Sequence, residues 1–235
     1  MKYIGSKRRI AKYILPIMLK NRKPNQYFVD AMTGGANLID KIDGNRIAAD
    51  SNEYLIQALK LIRDNPESLP KNNQEFTEEM YNQIKYDDSN KALKGYAGFC
   101  FSFGGKWFGG WSRTDSNGIS KRDYVAESYR NAIKQSPLLK DIEFVCCDYQ
   151  DLIIPDSSIV YYDPPYLNTT KYKDKFDHNR FYDYCRIISQ KHEVYISEYW
   201  LPSDFEILWE MEISSSLDTK KSKTGIERLF KYKGN

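Results

Sequence analysis

Apolar residues in this chain fall into short runs that end in an acid, and the runs alternate with stretches of helical spacing. Tyr27-Phe-Val-Asp30 followed by Ala-Met-Thr-Gly34-Gly35 predicts a strand, a glycine turn and a helix starting near Ala36. Arg46-Ile-Ala-Ala-Asp50 predicts a second strand, with a helix from Asn52 to about Arg63 that Asn65-Pro66 ends. The pattern resumes with Glu143-Phe-Val-Cys-Cys-Asp148 and Ile159-Val-Tyr-Tyr-Asp163, then a helix over 179 to 190 and a strand over 192 to 200. Two last strands are expected over 205 to 213 and 227 to 233. At the other end, residues 2 to 20 predict a helix entered through Gly5-Ser6, with Ser6 as cap, Ile10, Ile14, Ile17 and Met18 on one face and a kink at Pro16. Strands alternating with helices predict an α/β fold around a parallel sheet.

One long stretch, from about 67 to 141, breaks the alternation. After Pro66 and Pro70 comes a helical pattern near Phe76 to Ile84, and a helix over 124 to 135 closes the stretch. Between them, Gly95 to Arg113 interleaves aromatic residues with glycines and predicts a hairpin or loop presenting Lys106, Trp107, Trp111 and Arg113, flanked by Lys121 and Arg122. Stacking faces beside cations suit nucleic acid, and a small aromatic sub-core under a long loop is the plain alternative. The expected organisation is a core in two parts, 1–66 and 142–235, with 67–141 inserted as a unit of its own.

Composition narrows the possibilities modestly. The 235 residues carry 35 basic and 32 acidic side chains, a net charge of +3 that hints weakly at a polyanionic partner. Apolar content of 41% supports a sizeable core, and no run is long enough to span a membrane, so neither a span nor a secretory signal is expected. Cys100, Cys146, Cys147 and Cys185 have neither zinc spacing nor a disulfide framework, which suits free thiols in a cytoplasm and no metal.

The richest chemistry lies at the end of the fourth run, Asp163-Pro164-Pro165-Tyr166. Two prolines cannot donate to a sheet ladder, so the strand stops there in a stiff turn at its carboxyl end, where open α/β sheets place ligands. A carboxylate and a backbone carbonyl at such a tip can each accept one N–H of an exocyclic base amine, and a neighbouring ring can stack on the base. An ordinary strand-ending turn is the plainer reading. Asp30 with Gly34-Gly35 and then Asp50, about 20 residues apart, form the pattern of a nucleoside-bearing cofactor. The spacing is not Gly-x-Gly-x-x-Gly, so a nicotinamide cofactor is not indicated.

Taken together, Tyr3-Ile-Gly5-Ser6-Lys7, Phe28-Val-Asp30-Ala-Met-Thr-Gly34-Gly35, Asp50-Ser-Asn52 and Asp163-Pro164-Pro165-Tyr166 resemble the Dam-like DNA N6-adenine methyltransferases of bacteria and their phages. The resemblance covers nearly the whole chain and implies a Rossmann-like fold with an inserted target-recognition domain between its second and third strands. It implies S-adenosyl-L-methionine as cofactor, held by Tyr3, Lys7, Asp30, Gly34, Asp50 and Asp148. Asp163 and the Pro164 carbonyl would grip the target amine, with Asp163 also near the cofactor and Tyr166 stacked on the flipped base. Double-stranded DNA is the implied partner, with a cognate restriction endonuclease as a further one, in the cytoplasm of a bacterial or phage-infected cell. Met32 replaces a usual aromatic, and Phe99-Cys-Phe101-Ser-Phe103 lacks the arginine that reads bases in better-known members, so GATC specificity does not carry over. An N4-cytosine methyltransferase and a catalytically inactive DNA-binding relative remain the alternatives.

Overall fold

The computed structural model describes residues 1–113, 122–167, 176–215 and 223–234. Its strands are β1 (Phe28–Asp30), β2 (Arg46–Asp50), β3 (Ile142–Cys146), β4 (Ile159–Tyr162), β5 (Glu193–Glu198), β6 (Phe205–Ser215) and β7 (Lys223–Tyr232). They form one seven-stranded sheet in the order β3-β2-β1-β4-β5-β7-β6. The first five strands pair in parallel, while β7 runs antiparallel to both of its neighbours. Chain order reverses at β1, whose two neighbours are β2 and β4, so a crevice opens there at the carboxyl ends of the strands.

Successive residues of a strand face opposite sides, and this chain buries both. On β4, Ile159 and Tyr161 enter one apolar cluster while Val160 and Tyr162 enter the other. Against the first cluster pack α1 (Ala11–Met18), α2 (Glu53–Asp64), α4 (Lys91–Cys100) and α5 (Tyr124–Leu139), and against the second packs α6 (His178–Ile188). The helix α3 (Glu78–Ile84) adds Tyr81 to the first cluster. Side-chain oxygens of Asn52, Thr77, Asn90, Asp123 and Asp177 cap α2 to α6 in turn, each accepting from a backbone N–H of the first turn. Among the described residues no helix is long and apolar enough to cross a membrane.

Several elements depart from the sequence pattern. The expected N-terminal helix is only its second half, because Lys7–Arg9 form a 3-10 turn capped by Ser6 and residues 2 to 5 lie along another loop. No α-helix starts near Ala36, where Gly34 and Ala36 both take positive φ and only a 3-10 turn, Ile39–Lys41, follows. The Gly95 to Arg113 stretch is a buried helix up to Cys100, then a turn closed by one antiparallel bridge, Ser102 to Trp111. Glycine disfavours helix on propensity alone, but here Gly95 lets α4 lie directly on α2. Residues of α4 and α5 share the first apolar cluster with α1, α2 and the sheet, so the described part of 67–141 has no separate core.

Candidate active site

The acids that end β1, β2 and β4 are carried to neighbouring strand tips by the parallel register, which sets Asp30 opposite Tyr161 and Asp50 opposite Cys146. Asp148 follows two residues beyond Cys146; it is exposed, and one of its carboxylate oxygens accepts from the Gln150 N–H at 3.0 Å.

On the β1–β2 side, Asp50 receives the Gly34 N–H at 3.2 Å and the Asn52 N–H at 3.0 Å, fixing the glycine turn to the second strand. Gly34 has φ +50°, and a Cβ there would lie 2.8 Å from the Tyr3 ring, which is laid against the turn. Asp30 is buried; its Oδ2 accepts from the Thr33 hydroxyl at 3.2 Å, and its Oδ1 has no protein partner. Burial first, and then the nearby Asp163 charge, push the Asp30 carboxyl up to about 8. A buried acceptor left open beside a glycine turn is suited to an amino group supplied by a ligand.

Such an acid destabilises the ligand-free protein as pH rises. Its folded pKa lies above the unfolded carboxylate value near 4, so the folded state holds the extra proton and stability falls from about pH 4 to about pH 8. Asp30→Asn is therefore expected to raise the ligand-free melting temperature at pH 9, with little change at pH 4, while weakening cofactor binding. Thermal melts at both pH values and a cofactor titration check this.

On the β4 side, Asp163 Oδ1 pairs with Lys7 Nζ at 2.8 Å, and the same ammonium lies 3.2 Å from Glu227 Oε1. Glu227 also accepts the Tyr166 hydroxyl, and Lys7 sits over the Tyr166 ring at 4.5 Å from its centroid. Burial opposes the Lys7 charge, but Asp163 and Glu227 outweigh it and hold the ammonium above the ordinary lysine pKa. Burial pushes the Asp163 carboxyl up to about 6; Lys7 opposes that rise and Glu227 adds to it. One-fifth of the Asp163 side chain still reaches solvent.

The turn after Asp163 is held from beneath. Glu198 at the end of β5 is fully buried and accepts the backbone N–H groups of Leu167, at 2.6 Å, and Tyr199. His178 Nε2 lies 2.9 Å from the Pro165 carbonyl oxygen, and Tyr199 meets the Tyr166 ring edge-on at 4.6 Å. The prolines thus sit between two strands, with Pro164 buried and Pro165 partly so.

The residues expected on DNA are more dispersed. Lys106 and Trp107 are exposed on the turn after α4, where Trp107 packs on Tyr54, Phe99 and Phe108. Trp111 is held edge-on by Tyr81 and Phe101 and walls a small aromatic core. Arg113 pairs with Glu78 and Arg122 with Glu127, both near the surface. Lys121 lies outside the described residues, as do 168–175, most of a polar stretch (168–177) that the sequence suggests as a loop over the site, and Lys220 and Lys221 of the basic linker Lys220-Lys221-Ser-Lys223 between the last two strands.

Sequence reasoning missed Glu227, Glu198 and His178. Glu198 and Glu227 lie on strands well separated in sequence from Asp163, where the one signal was an acid within a strand run; His178, at the start of α6, carried no signal. Lys7 was found through the resemblance alone.

A sheet of this order, with acids at the tips of β1, β2 and β4 around a glycine turn, is a Rossmann-like methyltransferase sheet. The profile described as D12 class N6 adenine-specific DNA methyltransferase matches residues 3–200, and the chain belongs to that family. It is 26% identical to the Type II methyltransferase M.FokI of Planomicrobium okeanokoites, over 72% of this chain but only 29% of that protein. The chain thus spans under a third of the length of the curated relative it matches. Among solved structures, a putative methyltransferase, yhhF, from Escherichia coli has 8% identity and a TM-score of 0.41, covering 99% of this chain and 90% of that one. A putative class I S-adenosylmethionine-dependent methyltransferase (lmo1582) from Listeria monocytogenes has 13% identity and a TM-score of 0.41, covering 99% and 62%.

Proposed function

We propose that this chain is a site-specific DNA methyltransferase that transfers a methyl group to the N6 amine of an adenine flipped out of double-stranded DNA. The observation that carries the reading is Asp163, paired with Lys7 and partly open to solvent, on a proline-stiffened turn beside the Asp30–Gly34–Asp50 crevice. The open Asp30 oxygen, the glycine turn under Tyr3 and the anchored Asp50 fit S-adenosyl-L-methionine, and Lys7 and Asp148 are proposed as its further contacts. That cofactor supplies an electrophilic methyl group on a sulfonium.

The protein's own part is positioning and electrostatics. The adenine amine is a poor nucleophile because its lone pair is delocalised into the ring. Asp163 and the Pro164 carbonyl each accept one of its N–H bonds and aim the lone pair out of the ring plane, and Tyr166 offers its ring to the base. The nitrogen would gain the methyl carbon as the carbon–sulfur bond breaks with its electron pair left on sulfur, giving a neutral thioether, and would lose one proton to the Asp163 carboxylate or to water. Lys7 keeps Asp163 ionised against its burial. A base inside the duplex cannot reach this turn, so it must be extruded first. Lys106, Trp107 and Arg113 are the DNA contacts proposed for the described part of 67–141, the proposed target-recognition segment; Arg122 and Lys121 flank them, and Trp111 supports the turn.

Nucleoside mass spectrometry of adenine-unmethylated DNA, after incubation with protein and S-adenosyl-L-methionine, tests this. N6-methyladenine is the expected product. N4-methylcytosine would keep the site and change the base, and absence of any modified base with the cofactor bound would favour an inactive DNA-binding relative. A cognate restriction endonuclease in the same bacterial or phage-infected cytoplasm is proposed as partner; DNA modified by this chain should then resist it.

A further inference from the structure

Glu227 is placed against the usual preference of its strand. On β7 it is buried, 7% exposed, while the adjacent Ile226 is 44% exposed, so the charged side chain points in and the apolar one out. A strand that served only packing would do the reverse. The inward carboxylate accepts from the Tyr166 hydroxyl and lies 3.2 Å from Lys7, so it touches both groups that flank Asp163. The next residue, Arg228, does not neutralise it, because its guanidinium is engaged with Glu210 and the Tyr199 carbonyl.

Resting on the methyl-transfer reading, we propose that Glu227 is a positioning residue of the reaction: it anchors the Tyr166 ring by its hydroxyl and shares the Lys7 ammonium with Asp163. Without it, the Lys7 ammonium, already 2.8 Å from Asp163, would no longer be shared with a second carboxylate and would compete harder with the target amine for Asp163. The Tyr166 ring would also lose the contact that sets its tilt toward the base. A buried ion pair is by itself a weak source of stability, which leaves the arrangement in need of another reason.

Among the described residues, the charged and titratable groups around it are these. Lys7 comes from the N-terminal segment, Asp163 and Tyr161 from β4 and its tip, and Tyr166 from the turn. Glu198 and Tyr199 come from β5 and its end, and Asp30 from β1. Of these only Lys7 is cationic, and Glu227 adds a second carboxylate to it. Removing that carboxylate strengthens the hold of Lys7 on Asp163, so the carboxyl gives up its proton more readily.

The experiment measures methyl transfer against pH for the wild type, Glu227→Gln, Glu227→Ala and Tyr166→Phe, with S-adenosylhomocysteine titration and thermal melts on each. For Glu227→Gln the acid limb of kcat/KM, which reports the free enzyme and lies near pH 6 in the wild type, should move to lower pH. Glu227→Ala should lower kcat by about 10²-fold with cofactor-product affinity unchanged. Adding Tyr166→Phe to it should cost little more than either change alone. An unmoved acid limb in an active wild type and variant, or fully additive losses, overturns the proposal while leaving the methyl-transfer reading intact. Absence of N6-methyladenine from the wild type overturns the reading and this proposal with it. If Glu227→Gln does not fold, Tyr166→Phe alone decides: it should lower kcat, and an unchanged kcat overturns the anchoring.

Discussion

Asp163→Asn is expected to lower the methyl-transfer rate by on the order of 10³-fold, the size of effect seen when one well-placed polar group is removed from a reacting centre. The amide keeps the shape of the carboxylate but has no charge to draw on the amine, and its NH₂ can face the target N–H where an acceptor is needed. Folding should survive. Lys7 keeps Glu227 as partner at 3.2 Å, and a buried acid whose pKa is raised to about 6 is removed. Because that pKa lies above the unfolded value, the wild-type acid costs stability as pH rises from about 4 to about 6, so the variant should melt no lower than the wild type at pH 8. The same titration sets the wild-type profile, whose rate should fall as pH drops through about 6. Transfer by Asp163→Asn within tenfold of wild type, with intact cofactor binding, would show that the amine is gripped elsewhere.

Gly95→Ala should destabilise the protein by roughly 3 kcal/mol, at the upper end for overpacking a well-filled interior. On helix propensity alone the change would stabilise by about 1 kcal/mol. Packing reverses the sign, because a Cβ at Gly95 would lie 1.9 Å from the Tyr54 carbonyl oxygen and 2.7 Å from its carbon, both backbone atoms of α2. No rotamer relieves that contact; the two helices must part, and Leu55, Ile56, Tyr96 and Ala97 lose close neighbours. For a chain of this size the melting temperature should drop by roughly 6 to 12 °C. Gly98→Ala offers the comparison, since the atoms nearest its Cβ would be side-chain atoms of Trp107 and Phe108, at 2.6 and 2.8 Å, and Trp107 is partly exposed. It should cost less stability and act on the turn that carries Lys106. Equal melting temperatures for Gly95→Ala and the wild type would refute the close-helix account.

The sheet was legible because parallel strands buried on both faces read as continuous apolar runs, and because an acid or a proline ends each of the runs that reach the crevice. The same logic placed Asp30, Asp50 and Asp163 correctly at strand tips. It went wrong at Gly95 to Cys100, where glycine was read as a sign of loop although it serves close packing between helices. Periodicity carries no information on what a helix must approach. It also failed for Glu227 and Glu198, whose partners lie 61 and 31 residues away, and for His178, which acts through a backbone carbonyl that no side-chain pattern reveals. The insertion of β7 between β5 and β6 is a tertiary choice that two adjacent strand patterns do not reveal.

The site draws Lys7, Asp163 and Glu227 together from distant parts of the chain, and the central pairing sets Phe28 opposite Ile159, 131 residues on. Contacts so distant in sequence close late, after local helices have formed, since the loop entropy must be met before they reward it. A refolding chain is therefore expected to recover helical content before it brings Lys7 and Glu227 to Asp163.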